Sequence, residues 1–87
     1  MAKFLVWSPI PSSLPNEIVL NGIVQNGVIN IGMKSSELDL MIVRSIESSK
    51  NEKIYSASAG MNVYLHVTWT KSLQKAGILC DKIFEFR

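Results

Sequence analysis

The most informative stretch of this chain is residues 19–33, which form three loosely similar five-residue units with a glycine in each. Asn-Gly pairs at 21–22 and 26–27 favour tight hairpin turns, because both residue types tolerate positive φ. A two-residue turn at Asn26-Gly27 gathers apolar side chains on one face, namely Leu20, Val24, Ile29, Ile31 and Met33. This pattern predicts a half-buried hairpin with a kink or bulge at Gly22. A turn at Asn21-Gly22 is the alternative, and it mixes polar and apolar residues on both faces.

Four further segments have strand character. Phe4–Trp7 is aromatic and β-branched, and residues 53–58 form a weaker strand of small residues. Residues 61–70 alternate strongly, so one face carries Val63, Leu65, Val67 and Trp69 and the other carries Tyr64, His66, Thr68 and Thr70. Residues 78–86 alternate less regularly and predict a final strand.

Residues 36–49 favour a helix. Ser36 precedes acidic residues in a capping-box-like order, and Leu38, Met41, Ile42 and Ile46 follow at helical spacing. A strand over residues 38–47 is the alternative, since several of these side chains are β-branched. Residues 70–77 indicate a short helical turn. The expected fold is therefore α+β, a small, mostly antiparallel sheet of about five strands with one main helix packed on it.

The three prolines of the chain all lie between residues 9 and 15. Proline fixes φ and removes a backbone donor, so the segment is expected to be extended and to stay out of the sheet. We therefore divide the chain into an N-terminal strand with a proline-rich arm, residues 1–15, and a single globular domain, residues 16–87. The arm can fold back on its own domain or reach a neighbouring molecule.

Composition bears on partners and location. In 87 residues, 47% are hydrophobic and only 18% are charged, which predicts an exposed apolar patch that meets a protein partner or a second copy. The net charge of +2 is small for a nucleic-acid-binding protein. A single cysteine, Cys80, rules out an intramolecular disulfide and favours a reducing, cytoplasmic setting. Apolar runs are too short for a signal peptide or a membrane span, so no membrane association is expected.

The chain lacks the residue types of common catalytic and metal sites. One cysteine and one histidine cannot supply a zinc site, and the acidic residues are scattered, so we expect no metal and no cofactor. Cys80 with His66 and Asp81 is the only conceivable cysteine-nucleophile set, and an apolar strand usually holds an inert thiol. The sequence therefore predicts a protein that is not an enzyme.

Two binding functions remain. The first is a protein-interaction or self-assembly module, of a size typical of small viral or phage accessory proteins, whose partner-binding residues would be Trp7, Ile10, Leu14, Tyr64 and His66. It would bind through an exposed sheet edge or through the arm from Trp7 to Pro15. The second is a nucleic-acid-binding module in which Tyr64 and His66 stack on bases while Lys71, Lys75, Lys82 and Arg87 hold phosphates.

Overall fold

The computed structural model describes residues 2–12, 14–35, 41–69 and 82–87, and these residues form strands and turns. The eight strands are β1 (Ala2–Pro11), β2 (Glu17–Asn26), β3 (Val28–Asn30), β4 (Val43–Ser48), β5 (Lys53–Ile54), β6 (Ser56–Ser58), β7 (Asn62–Thr68) and β8 (Ile83–Phe86). Six of them make one sheet in the order β5-β4-β7-β2-β1-β8, and β3 pairs with β6 in a second, small sheet. Every pairing between these described strands is antiparallel.

The expected α+β class is wrong, because the described part of the chain contains no helix and is all-β. The predicted helix at 36–49 is replaced from Val43 onward by strand β4, and residues 36–40 lie outside the described residues. The register between β4 and β7 shifts between Val43 and Ser45, so Arg44 is an extra residue in its strand. This bulge places the buried side chains of Val43 and Ile46 three residues apart, which is the spacing of a helix.

The predicted hairpin at Asn26-Gly27 is also wrong. β2 is hydrogen-bonded to β1 on one side and to β7 on the other, so neither of its edges is open to β3. Gly27 has a φ of +73° and turns the chain away from β2, and β3 then pairs with β6. The apolar alternation behind the prediction is partly retained, since Leu20, Val24 and Ile29 are buried while Ile31 is exposed.

Strand β1 corrects the expectation that the prolines keep this segment out of the sheet. Residues Ser8–Pro11 pair with β2, with Pro9 opposite Leu20 and Pro11 opposite Ile18. Proline is tolerated here because β8 pairs only with the first part of β1, up to Leu5, so among the described strands this later part is an edge. Residues 2–11 thus fold onto their own chain, while the division at residue 15 stays a prediction.

A short segment, residues 33–35, bridges β8 and the start of β4 in the large sheet. Lys34 exchanges two backbone hydrogen bonds of 2.9 Å with Arg87, next to the end of β8. The same segment bonds to the start of β4, through Val43 N to the Met33 carbonyl and Ser35 N to the Met41 carbonyl. The sheet and this segment pack around the core, whose largest fully buried side chains include Phe4, Leu20, Met41, Ile46, Leu65, Phe84 and Phe86.

Strand β7 behaves as the alternation predicts. Val63, Leu65 and Val67 are buried in the core, Trp69 packs against it, and Tyr64, His66 and Thr68 lie on the other face at partial exposure. The predicted helical turn at 70–77 and the start of the predicted final strand, at 78–81, lie outside the described residues. No helix within the described ranges is long and apolar enough to cross a membrane.

Candidate functional site: a histidine between two carboxylates

The outward face of the sheet carries a polar cluster centred on His66. His66 lies in the middle of β7, with Val19 of β2 opposite it on one side and Ser45 of β4 on the other. Glu17 lies two residues before Val19 in β2, and Glu47 lies two residues after Ser45 in β4. Both side chains reach diagonally across to the imidazole. Diagonal neighbours in antiparallel sheets lie within reach of long side chains, so this cluster follows from the register.

Each nitrogen of the imidazole meets a carboxylate. His66 Nδ1 lies 3.2 Å from Glu17 Oε2, and His66 Nε2 lies 2.8 Å from Glu47 Oε1. The side chains are 19% exposed for His66, 3% for Glu17 and 27% for Glu47. A carboxylate only accepts hydrogen bonds, so an imidazole that carries both ring protons satisfies the two contacts at once. The cluster thereby joins three neighbouring strands through side chains.

Glu17 is the most buried member and has the most partners. Burial raises the pKa of its carboxyl, but hydrogen bonds from Ser12 and His66 and the nearby charges of His66 and Arg44 lower it. The net result is a pKa below the usual value of 4.5, so the ionised form is favoured in the folded chain. The Ser12 hydroxyl donates a hydrogen bond of 2.6 Å to Glu17 Oε2, which ties the proline-rich segment to the cluster.

The predicted partner-binding residues fall into two groups. Ile10 shares a row on the outward face with Val19 and His66, since Ile10 pairs with Val19 and Val19 pairs with His66. Tyr64 is half-buried on the same face, two residues from His66. Trp7 is the extra residue at a bulge in β1, and Leu14 lies in the turn before β2.

Three of these side chains are large, apolar and well exposed. Trp7 is 44% exposed, Ile10 is 38% exposed and Leu14 is 54% exposed. All three belong to the later part of β1 or to the turn that follows it. We call Trp7, Ile10 and Leu14 the β1 surface.

The residues of the nucleic-acid alternative are placed less favourably. The ring of His66 is held by two carboxylates, which repel phosphate and occupy both of its nitrogens. The Nζ atom of Lys82 lies 5.6 Å from the centre of the Phe84 ring, and Arg87 follows the last strand, β8. Lys71, Lys75 and Cys80 lie outside the described residues. The use of Tyr64 and His66 in nucleic-acid binding remains a prediction.

Sequence reasoning missed the two glutamates and Ser12. Glu17 and Glu47 are 30 residues apart in the chain, and both lie far from His66 in sequence. The registers of β2 and of β4 on β7 bring them together, and the register of β4 includes the bulge at Arg44. Within the described ranges, no group of three or more His, Cys, Asp or Glu residues is arranged to hold a metal ion.

Comparisons with known proteins add no family assignment. No protein-family model matches the chain, and no curated protein matches it at a significant level.

Proposed function

We propose that this chain is a non-catalytic protein-binding module that self-associates or binds another protein through the β1 surface. The observation that carries the proposal is the exposure of three large apolar side chains, Trp7, Ile10 and Leu14, within eight residues of chain. Single exposed apolar residues are common on folded proteins, but a concentration of them that includes a tryptophan is typical of an interface.

The backbone of β1 indicates how such a partner binds. Proline has no N–H, so we infer that Pro9 and Pro11 lie at the non-hydrogen-bonded pairs between β1 and β2. At such pairs the backbone groups of β1 point away from β2, toward the free edge of β1 among the described strands. Pro9 and Pro11 offer a carbonyl there but no N–H. A strand added at this edge would find acceptors without donors. This supports docking through side chains and argues against extension of the sheet by a partner strand.

A non-catalytic role is supported by the polar cluster. The hydroxyl of Ser12 donates to Glu17 and so is not poised as a nucleophile activated by His66. Both nitrogens of His66 are engaged by carboxylates, which suits a structural role. A reducing compartment such as the cytoplasm is part of the proposal, because a single cysteine leaves the fold independent of an intramolecular disulfide.

The test is the mass in solution, measured by sedimentation equilibrium over a range of concentrations. We expect a species heavier than the 9.7 kDa monomer, or a stable complex with a protein captured from lysate. Ile10→Asp and Leu14→Asp place a charge in the interface and should weaken association at least roughly tenfold each. Val28→Asp is the matched control, because Val28 is similarly exposed but lies on the small sheet.

Three results would contradict the proposal. One is a strict monomer that captures no protein, and another is association that Val28→Asp weakens as much as Ile10→Asp does. The third is binding to RNA or DNA that falls steeply with salt, which would favour the nucleic-acid alternative.

A further inference from the structure

The two Asn-Gly pairs of the chain occupy contrasting positions in and beside strand β2. Asn21-Gly22 lies in the middle of the strand, whereas Asn26 is its last residue and Gly27 follows directly after it. The side chain of Asn21 belongs to a half-buried residue and that of Asn26 to an exposed one. The same dipeptide therefore meets two environments in one chain.

Asn-Gly is chemically reactive, because glycine has no side chain to hinder its own nitrogen and leaves the backbone free to rotate. The glycine nitrogen bonds to the asparagine Cγ and loses its proton, and the side-chain nitrogen leaves as ammonia. Water then opens the resulting five-membered succinimide at either carbonyl, which gives aspartate or isoaspartate. The other four asparagines precede residues with bulky side chains, namely Glu17, Ile31, Glu52 and Val63.

The sheet holds Asn21 away from this reaction. Asn21 is paired with Ser8 of β1 on one side and with Tyr64 of β7 on the other. Its side-chain Oδ1 accepts a hydrogen bond of 3.3 Å from Nδ2 of Asn62. Ring closure requires the Gly22 nitrogen to turn toward the Asn21 side chain, and both ladders keep the backbone extended. The reaction at Asn21 therefore waits for the centre of the sheet to open, which costs nearly the free energy of global unfolding.

Asn26 is held only at the end of its strand. The ladder between β2 and β7 ends at Ile23, three residues before Asn26. The ladder between β2 and β1 ends at Asn26 itself, which lies opposite Lys3 and is separated from the regular pairs by a register shift. Fraying of a strand end costs far less than opening of a central strand, so the Asn26 backbone reaches the reactive conformation within the folded chain.

We propose that Asn26 is a site of spontaneous deamidation and isomerisation in the folded chain, while the sheet protects Asn21. Water is the reactant, and no enzyme is required. The product places a carboxylate opposite Lys3, and this one additional negative charge lowers the net charge of +2 to +1. The inference goes beyond the proposed function and does not depend on it.

Isoaspartate at position 26 would also change the course of the backbone. It adds one carbon atom to the main chain directly before Gly27, whose φ is +73°. The Gly27 carbonyl accepts the N–H of Ala59 at 3.1 Å, next to the small sheet. The modification therefore lengthens the connection between the large sheet and the small one.

The test follows both asparagines in the full chain during incubation in mildly alkaline buffer. Peptide mass spectrometry reports deamidation at each position, and methyl transfer from S-adenosylmethionine by a protein isoaspartyl methyltransferase reports isoaspartate. We expect Asn26 to convert at least roughly tenfold faster than Asn21 in the folded chain. In urea that unfolds the chain, the two positions should convert at similar rates, because the protection of Asn21 comes from the fold.

Asn26→Gln is the discriminating variant. Glutamine would have to form a six-membered ring, which closes much more slowly, so we expect the acidic species seen by isoelectric focusing to disappear. Asn30→Gln is the matched control, since Asn30 is exposed on β3 and precedes Ile31. This control should accumulate the acidic species at the natural rate.

Equal conversion of Asn21 and Asn26 in the folded chain would overturn the proposal. So would an Asn26→Gln variant that still accumulates the acidic species, or a folded chain in which Asn26 stays intact while the urea-unfolded chain reacts. A large difference between the two positions that persists in urea would also overturn it, because flanking residues rather than the sheet would then set the rates.

Discussion

Gly22 of β2 lies directly against the backbone carbonyl of Leu5 in β1, with no space between them for a side chain. A Cβ at position 22 would overlap the Leu5 oxygen and would lie 3.0 Å from the ring of Phe4. The neighbouring register shift, with Trp7 as an extra residue, lies in β1 opposite Asn21 and Gly22. The irregularity predicted at Gly22 therefore exists in this strand pair, but the additional residue belongs to the partner strand.

Gly22→Ala should destabilise the fold by about 3 kcal/mol, because the obstructing atom is backbone and cannot rotate away. The measurement is the free energy of unfolding from urea titration. Gly32→Ala is the control. Gly32 has a φ of +95°, and a Cβ added there would meet no atom within 4 Å, so this change should cost only about 1–2 kcal/mol of backbone strain. Equal losses for the two variants would show that the close approach to Leu5 is not the cause.

Replacement of Pro9 and Pro11 by valine should promote assembly through the edge of β1. Each valine restores an N–H where the natural chain offers only a carbonyl, and complete edges pair with other strands. We expect larger species by sedimentation velocity and slower recovery of the monomer on dilution. Pro15→Val, in the turn before β2, is the control and should leave the distribution of species unchanged. An unchanged distribution for the double variant would mean that the prolines do not protect this edge.

Stability should fall as the pH drops below about 4.5. Burial raises the pKa of Glu17, but its hydrogen bonds with Ser12 and His66 outweigh burial and leave the pKa below its usual value of 4.5. A carboxyl with a lower pKa in the folded chain stabilises that chain above the unfolded pKa, and this stabilisation is lost as the pH falls through the folded pKa. Urea titrations at a series of pH values measure the effect.

Glu17→Gln isolates this contribution. The variant should lose about 1–2 kcal/mol near neutral pH and should show a weaker decline in acid, because the ionising group is gone. Glu52→Gln, at an exposed position, should retain the full decline. A Glu17→Gln variant with the same acid profile as the natural chain would mean that other groups cause the loss.

The strands that could be predicted are those whose side chains alternate without interruption. β7 is the clearest case, because Val63, Leu65 and Val67 are buried and His66 lies on the opposite face, as its pattern indicates. β4 could not be predicted, because the bulge at Arg44 changes the spacing of its buried residues from two to three. The expected helix rested on Ser36 and on the spacing of Leu38, Met41, Ile42 and Ile46, and the bulge adds a helix-like spacing between Val43 and Ile46.

The cluster around His66 shows the same limit. The outward position of His66 follows from alternation, while its contacts with Glu17 and Glu47 depend on which strands flank β7 and in which register. Neither property is local, since β2 and β7 are separated in the chain by β3 to β6.

The amino-acid sequence by itself determined which side chains of each regular strand are apolar, where the prolines and glycines restrict the backbone, and that one cysteine and one histidine are present for a metal or thiol site. Tertiary structure alone decided which strands are neighbours, where bulges lie, and that one histidine meets two carboxylates. The physical reason is that alternation and φ preferences act over a few residues. Strand pairing is selected by burial and hydrogen bonding summed over the whole chain.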